Sequence, residues 1–178
     1  MSEKIQAKLP YNLYFIGFMG AGKSTVAGYM KRHYSMPLME MDETLVKREG
    51  MTIPEIFAEK GEAYFRQAET DLLKEIAEQT NMIVSCGGGV VMRPENVEIM
   101  KKSGKIVLLT ASPESILKRV KGDDNRPLLK GRKTVEGISE LMEARRPHYE
   151  AAADVVVRTD TQSLKGICQE IFDRLQAE

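Results

Sequence analysis

The tightest constraint on this chain is residues 17–25, Gly17-Phe18-Met19-Gly20-Ala21-Gly22-Lys23-Ser24-Thr25. Their spacing fits G-x-x-x-x-G-K-[ST], the P-loop pattern. An apolar run, Leu13-Tyr14-Phe15-Ile16, precedes it, and a helix-like stretch over residues 26–34 follows. Glycines let the backbone curl so that successive N–H groups form an anion nest, and the following helix adds the positive end of its dipole. Gly20, Ala21, Gly22 and Thr25 belong to this cradle, Lys23 has the reach for β- and γ-phosphates, and the Ser24 hydroxyl suits Mg²⁺. A Gly-rich turn with an exposed lysine is the alternative, and the strand before and helix after argue against it. The stretch is read as a nucleotide-phosphate site.

The rest of the chain fits one α/β domain spanning residues 1–178. Lys+Arg and Asp+Glu are equal at 26 each, so no overall field favours nucleic acid or an anionic membrane. No secretory signal pattern and no long apolar run is present, and two cysteines, Cys86 and Cys168, make no metal spacing, so a cytoplasmic location is expected. Residues 1–10 read as a loose polar leader. Strands are expected at 11–16, 38–41, 82–86, 105–110 and 154–158. Helices are expected after the P-loop and at 43–48, 52–60, 63–78, 94–102, 134–146 and 162–176, with another opened by Ser112-Pro113-Glu114. Asp42 falls just past the second strand, and Gly87-Gly88-Gly89 lies at the carboxyl end of the third. Residues 121–133 carry Gly122, Pro127, Gly131 and many charges with little to bury, and read as a lid. Strands alternating with helices imply a parallel sheet, with ligands beyond the carboxyl ends of its strands.

A P-loop alone does not separate a GTPase, a motor ATPase and a small-molecule kinase. No N-K-x-D is present to read guanine, and no long apolar strand ends in D-E. A compact kinase fits, because phosphoryl transfer to a hydroxyl needs water excluded. Four further features each admit a bland alternative. Arg66 could pair with Glu69 three residues on as a surface ion pair. Arg145 and Arg146, before Pro147, could be ordinary helix C-terminal cations. Arg126 could be a solvated lid charge, and the three glycines only a strand-to-helix turn. His33 and His148 read as surface or helix-end residues.

In register, these features stop looking independent. The P-loop is followed by Glu40-Met41-Asp42, Phe65-Arg66-x-x-Glu69, Gly87-Gly88-Gly89, Arg126-Pro127-Leu128-Leu129 and Arg145-x-Pro147-x-Tyr149. This order resembles the shikimate kinase family, from about Asn12 to the C-terminal helix. The resemblance implies a three-layer P-loop fold of the nucleoside-monophosphate-kinase type, with a five-stranded parallel sheet in order 2-3-1-4-5 and a lid. It also implies ATP-dependent phosphorylation of the 3-hydroxyl of shikimate, with Mg²⁺, by a monomer. Arg66 and Arg145 would grip the carboxylate, since guanidinium offers a planar fork of donors. Asp42 would orient the ring hydroxyls and serve as candidate base, and Gly88 and Gly89 would admit the ring to the backbone. Lys23 and Arg126 would neutralise the transferring phosphoryl group, and Arg119 would pack on adenine. One departure stands out: the family pattern is Asp-x-Asp, whereas the first acid here is Glu40, from which altered Mg²⁺ affinity with retained activity is expected. The other readings are a P-loop kinase for another polyol acid such as gluconate, and a non-catalytic nucleotide- or metabolite-binding homologue. Whether Cys86 is chemically reactive is left open by the sequence.

Overall fold

β1 (Asn12–Ile16) is buried along its whole length, and its side chains divide between two cores. Leu13 and Phe15 point into one apolar cluster, and Tyr14 and Ile16 into the other. A strand covered on both faces belongs inside a parallel sheet with helices on either side. The computed structural model describes residues 8–122 and 129–177, and among these it contains such a sheet.

In chain order the elements are β1, α1 (Lys23–Tyr34), β2 (Leu38–Glu40), α2 (Met41–Glu49), α3 (Ile53–Lys60), α4 (Glu62–Ala77) and β3 (Ile83–Ser85). A 3-10 turn (Val90–Met92), α5 (Pro94–Ser103), β4 (Gly104–Thr110), α6 (Pro113–Val120), α7 (Val135–Ala152), β5 (Val155–Arg158) and α8 (Leu164–Gln176) complete it. The five strands lie in the order β2-β3-β1-β4-β5, all parallel, as expected. Register is continuous across the centre: Tyr14 faces Val84 on one side and Ile106 on the other. One core holds Phe15, Met30, Val107, Val157 and Ile171 between the sheet and α1 and α8. The other holds Tyr14, Leu73, Met100, Leu108 and Tyr149 beneath α4, α5 and α7.

The local signals mostly act where the sequence places them. Thr52 and Glu55 form a reciprocal capping box at the start of α3, and Ser112, Thr134 and Ser163 cap α6, α7 and α8. Four expectations need correction. The second strand ends at Glu40 and α2 begins at Met41, so Asp42 sits in the first helical turn; Thr44 Oγ1 donates back to the Glu40 carbonyl at 2.8 Å and holds that entry. α7 does not stop before Pro147 but runs through it to Ala152. The proline removes one rung of the helix ladder, and burial of Tyr149 and Ala152 carries the helix past it. Arg145 is therefore mid-helix rather than a terminal cation.

The leader is not wholly loose: Leu9 packs against the α1–α8 core and its N–H donates to Asn81 Oδ1 at 2.8 Å. Residues 1–7 lie outside the described residues, as do 123–128, which include Arg126 and the middle of the expected lid. Of the lid's described part, Leu129 is fully buried in the α7 core, contrary to the expectation of little to bury.

Because every strand runs the same way, the carboxyl ends of β1, β2 and β3 put Gly17, Glu40 and Gly87 on one edge. That edge carries the candidate site.

Candidate functional site

The phosphate cradle is built from backbone. Gly22 caps α1 with φ 104°, a left-handed conformation that side chains disfavour. Gly17 has no room for a side chain, since a Cβ there would lie 2.4 Å from the Leu109 carbonyl oxygen. Lys23 Nζ lies across the loop, donating to the carbonyls of Gly17 at 2.7 Å and Phe18 at 3.1 Å. A cavity of about 510 Å³ opens over this surface, lined by Gly20, Gly22, Lys23, Ser24 and Thr25 from the loop. Glu40, Asp42, Glu43, Ser85 and Arg119 line its other walls. Ala21 is turned away: its N–H is used by Phe18 O at 3.0 Å and its methyl is buried in the α1–α8 core.

Three oxygens meet at the mouth of α1. Ser24 Oγ donates to Glu40 Oε2 at 2.9 Å and lies 3.4 Å from Ser85 Oγ. These are hard donors of the kind Mg²⁺ takes alongside water and phosphate. The donor set fits such an ion, and the longer Glu40 side chain reaches Ser24 directly. Among the described residues no cluster of three or more His, Cys, Asp or Glu is poised to cage a metal alone.

Beside this cavity is a smaller one, about 60 Å³, made of side chains from several elements. Met19 of the P-loop, Asp42 of α2, Ile53 and Phe57 of α3, and Phe65, Arg66 and Glu69 of α4 line it, with the three glycines and Arg145 of α7. Arg66 and Glu69 do pair, Nη1 to Oε2 at 2.8 Å, but not at the surface: their side chains are 14% and 1% exposed. Glu62 adds an outer contact to Arg66 at 3.4 Å. Burial pushes the Glu69 carboxyl above its ordinary range, against the opposing pull of Arg66.

The glycine turn is where these charges converge. A Cβ on Gly87 would meet Glu69 Oε1 at 2.6 Å and Asp42 Oδ1 at 3.0 Å. On Gly88 it would meet Arg145 Nη1 at 3.3 Å, and on Gly89 both Arg66 Nη1 and Nη2 at 2.6 Å. Each glycine thus leaves space for a charged side chain of the site, in addition to any ligand. Two buried polar atoms have no hydrogen-bond partner among the described residues, Arg145 Nη1 and Glu69 Oε1, and both face this turn. A buried donor and acceptor left open are costly unless a ligand takes them up.

Arg119 of α6 donates to the Gly20 carbonyl at 2.8 Å and lines the larger cavity, so its guanidinium is placed at the rim of the phosphate loop. Thr159, past β5, supports it: its Oγ1 lies 2.6 Å from the Ala21 carbonyl and 3.4 Å from Arg119 Nη1. The structure therefore brings together Lys23, Ser24, Glu40, Asp42, Arg66, Gly88, Gly89, Arg119 and Arg145. Ser85 and Thr159 were not singled out from the sequence; single hydroxyls at strand ends carry no spacing signal. Cys86 is 3% exposed and burial raises its thiol far above the ordinary range, so it is a packed strand-end residue rather than a nucleophile.

Comparison with known proteins places this geometry. A family model described as shikimate kinase matches residues 19–176. A shikimate kinase of Dehalococcoides mccartyi is 40% identical over 169 residues, 95% of this chain and 96% of the relative. A solved shikimate kinase from Acinetobacter baumannii, in complex with shikimate, superposes with a TM-score of 0.87 at 30% identity, covering 94% of this chain and 93% of its own. A gluconokinase from Sinorhizobium meliloti also superposes, with a TM-score of 0.60 at 18% identity over 96% of this chain and 94% of its own, and shares the fold alone.

Proposed function

The chain belongs to the shikimate kinase family, and from that premise we propose that it transfers the γ-phosphoryl group of ATP to the 3-hydroxyl of shikimate. The observation that carries this reading is the second pocket. Two guanidiniums from different helices, Arg66 and Arg145, face one glycine turn, and buried Arg145 Nη1 has no hydrogen-bond partner among the described residues. That arrangement suits a small acid's carboxylate. Asp42 stands in both cavities, between the carboxylate grip and the phosphate cradle.

The reaction follows from this placement. Arg66 and Arg145 hold the acid by its carboxylate, and Ile53, Phe57 and Phe65 offer apolar surface to the ring. Asp42 accepts a hydrogen bond from the ring hydroxyl that attacks, fixing its direction, and receives its proton as the new O–P bond forms and the bond from γ-phosphorus to the bridging oxygen breaks, releasing ADP. Since phosphoryl transfer passes through a loose transition state, this carboxylate acts more through positioning than through basicity. The P-loop N–H groups and Lys23 hold the β- and γ-phosphates, and Lys23 and Arg126 balance the charge that spreads over the transferring group. Arg119 flanks the base. Ser24, Glu40 and Ser85 would hold Mg²⁺, which would supply neutralisation of phosphate charge there.

The protein is further proposed to act as a cytoplasmic monomer with ATP and shikimate as its partners, without nucleic acid or membrane. No helix among the described residues is long and apolar enough to cross a membrane. The test is product identification: incubation with Mg·ATP and shikimate, followed by phosphorus NMR, should give one monoester with phosphorus coupled to the proton on carbon 3. A monoester on another hydroxyl would contradict the placement of Asp42.

A further inference from the structure

We propose that Tyr149 is a positioning residue of the acceptor site, acting through the Gly88 carbonyl; this rests on the acceptor reading above. Tyr149 lies one helical turn beyond Arg145 on α7, so the two share a face of that helix. Its ring is buried at 5% exposure, and its hydroxyl donates to the Gly88 carbonyl at 2.5 Å. Gly88 is the point where both halves of the site touch. The position of its absent Cβ is 3.3 Å from Arg145 Nη1, and 3.7 Å from both the Gly17 carbonyl oxygen and the Met19 nitrogen of the P-loop.

Helix α7 needs such an anchor. Pro147, between Arg145 and Tyr149, lacks the N–H that would bond the Glu143 carbonyl, so the ladder loses a rung about half a turn before Tyr149. With that rung missing, contacts outside the helix add to what holds Arg145 over the glycine turn. The Tyr149 hydroxyl is a short, directional contact of this kind: it ties α7 to the residue that Arg145 faces. Asn96 works from the other side, its Nδ2 donating to the Val90 carbonyl at 2.9 Å while its Oδ1 accepts from Thr70 of α4 at 2.7 Å. The turn between Arg145 and Arg66 is thus held at both ends, and Tyr149 is the tie on the Arg145 side.

Tyr149→Phe keeps the ring and removes only the hydroxyl. The expected result is a rise of about tenfold in the KM for shikimate, the size of one buried hydrogen bond, with kcat within about threefold and the KM for ATP within about twofold. A purely structural role would lower the melting temperature without that split. Because the effect runs through Arg145, Tyr149→Phe should add little to the KM of an Arg145→Ala variant, a non-additivity that a double-mutant cycle reads directly. An unchanged shikimate KM, equal losses for both substrates, or full additivity with Arg145→Ala would overturn the role of Tyr149 alone. Absence of shikimate-dependent turnover in the unaltered chain would overturn the acceptor reading, and this inference with it.

Discussion

The phosphate cradle and the acceptor pocket share one sheet edge but are made in opposite ways. The cradle comes from nine consecutive residues, and it is shaped by glycines in positive φ with one lysine laid across it. The pocket is assembled from α2, α3, α4, α7, the turn after β3 and Met19 of the P-loop, and most of its lining is side chains. A backbone device depends on local conformation and carries a local pattern. A side-chain device depends on where helices dock, so each of its residues looks ordinary until they are brought together. On the proposed function, the first kind holds the nucleotide phosphates and the second selects the acceptor.

This contrast predicts that damage on the phosphate side appears in kcat and damage on the acceptor side in the acceptor KM. The largest effect should come from Arg126→Ala. Turnover should fall about 10³-fold, within the range of arginine fingers, while shikimate affinity stays near that of the unaltered enzyme. Steady-state kinetics separate the two, and a loss confined to shikimate affinity would move Arg126 to the acceptor side.

Gly89→Ala should do the reverse. A methyl group 2.6 Å from both terminal nitrogens of Arg66 must displace that guanidinium. Loss of a charge-assisted hydrogen bond to the acid corresponds to a rise of about a hundredfold in shikimate KM. Binding of a fluorescent ATP analogue should be unaltered. Weakened nucleotide binding would mean that the turn couples the two regions more tightly than their separate construction implies.

Glu40→Asp probes the boundary. The shorter acid should lose its direct reach to Ser24, now 2.9 Å, and leave turnover within about tenfold, on the order of 1.4 kcal/mol in barrier. Titration with Mg²⁺ should show the change as a shifted metal requirement, and a collapse in rate would make the glutamate geometry itself necessary.

Glu69→Gln should have the smallest effect, a modest rise in shikimate KM because Glu69 pairs with Arg66 in the acceptor pocket, with its clearer mark on stability. Burial raises the folded-state pKa of Glu69 above its ordinary value of 4.5. The contribution of Glu69 to stability is therefore fully present below that value and is lost as pH rises through the raised one. The glutamine variant has no such loss, so its melting temperature relative to the unaltered chain should climb between mildly acidic and neutral pH. A constant difference across that range would mean that Arg66 compensates the buried charge fully.

The same contrast explains what could be read before the structure. Residues 17–25 announced the cradle, and the alternation of apolar runs with helical stretches announced the parallel sheet, its order following from the family resemblance. Arg66 and Arg145 could not be assigned from their own surroundings; a nearby Glu69 and a following Pro147 gave each an equally good local explanation. Only the order of the motifs along the chain tied them to one ligand. Local punctuation also misled where tertiary packing prevailed: Pro147 suggested a helix end, and the buried Tyr149 and Ala152 carried α7 past it. Ser85 and Thr159 had no pattern to find, since a lone hydroxyl at a strand end is given its role only by the strands beside it.

On the proposed function, the side-chain pocket selects a ring acid held by two guanidiniums and presents its hydroxyl to a P-loop nucleotide. The most direct measurement is the initial rate of ADP release with Mg·ATP in the presence of shikimate, gluconate or no acceptor. Turnover with shikimate and background rates with the other two are expected. Turnover with gluconate alone would leave the cradle intact and assign Arg66 and Arg145 to a different ligand. Background rates in all three, from a folded and ATP-binding sample, would contradict the kinase reading itself.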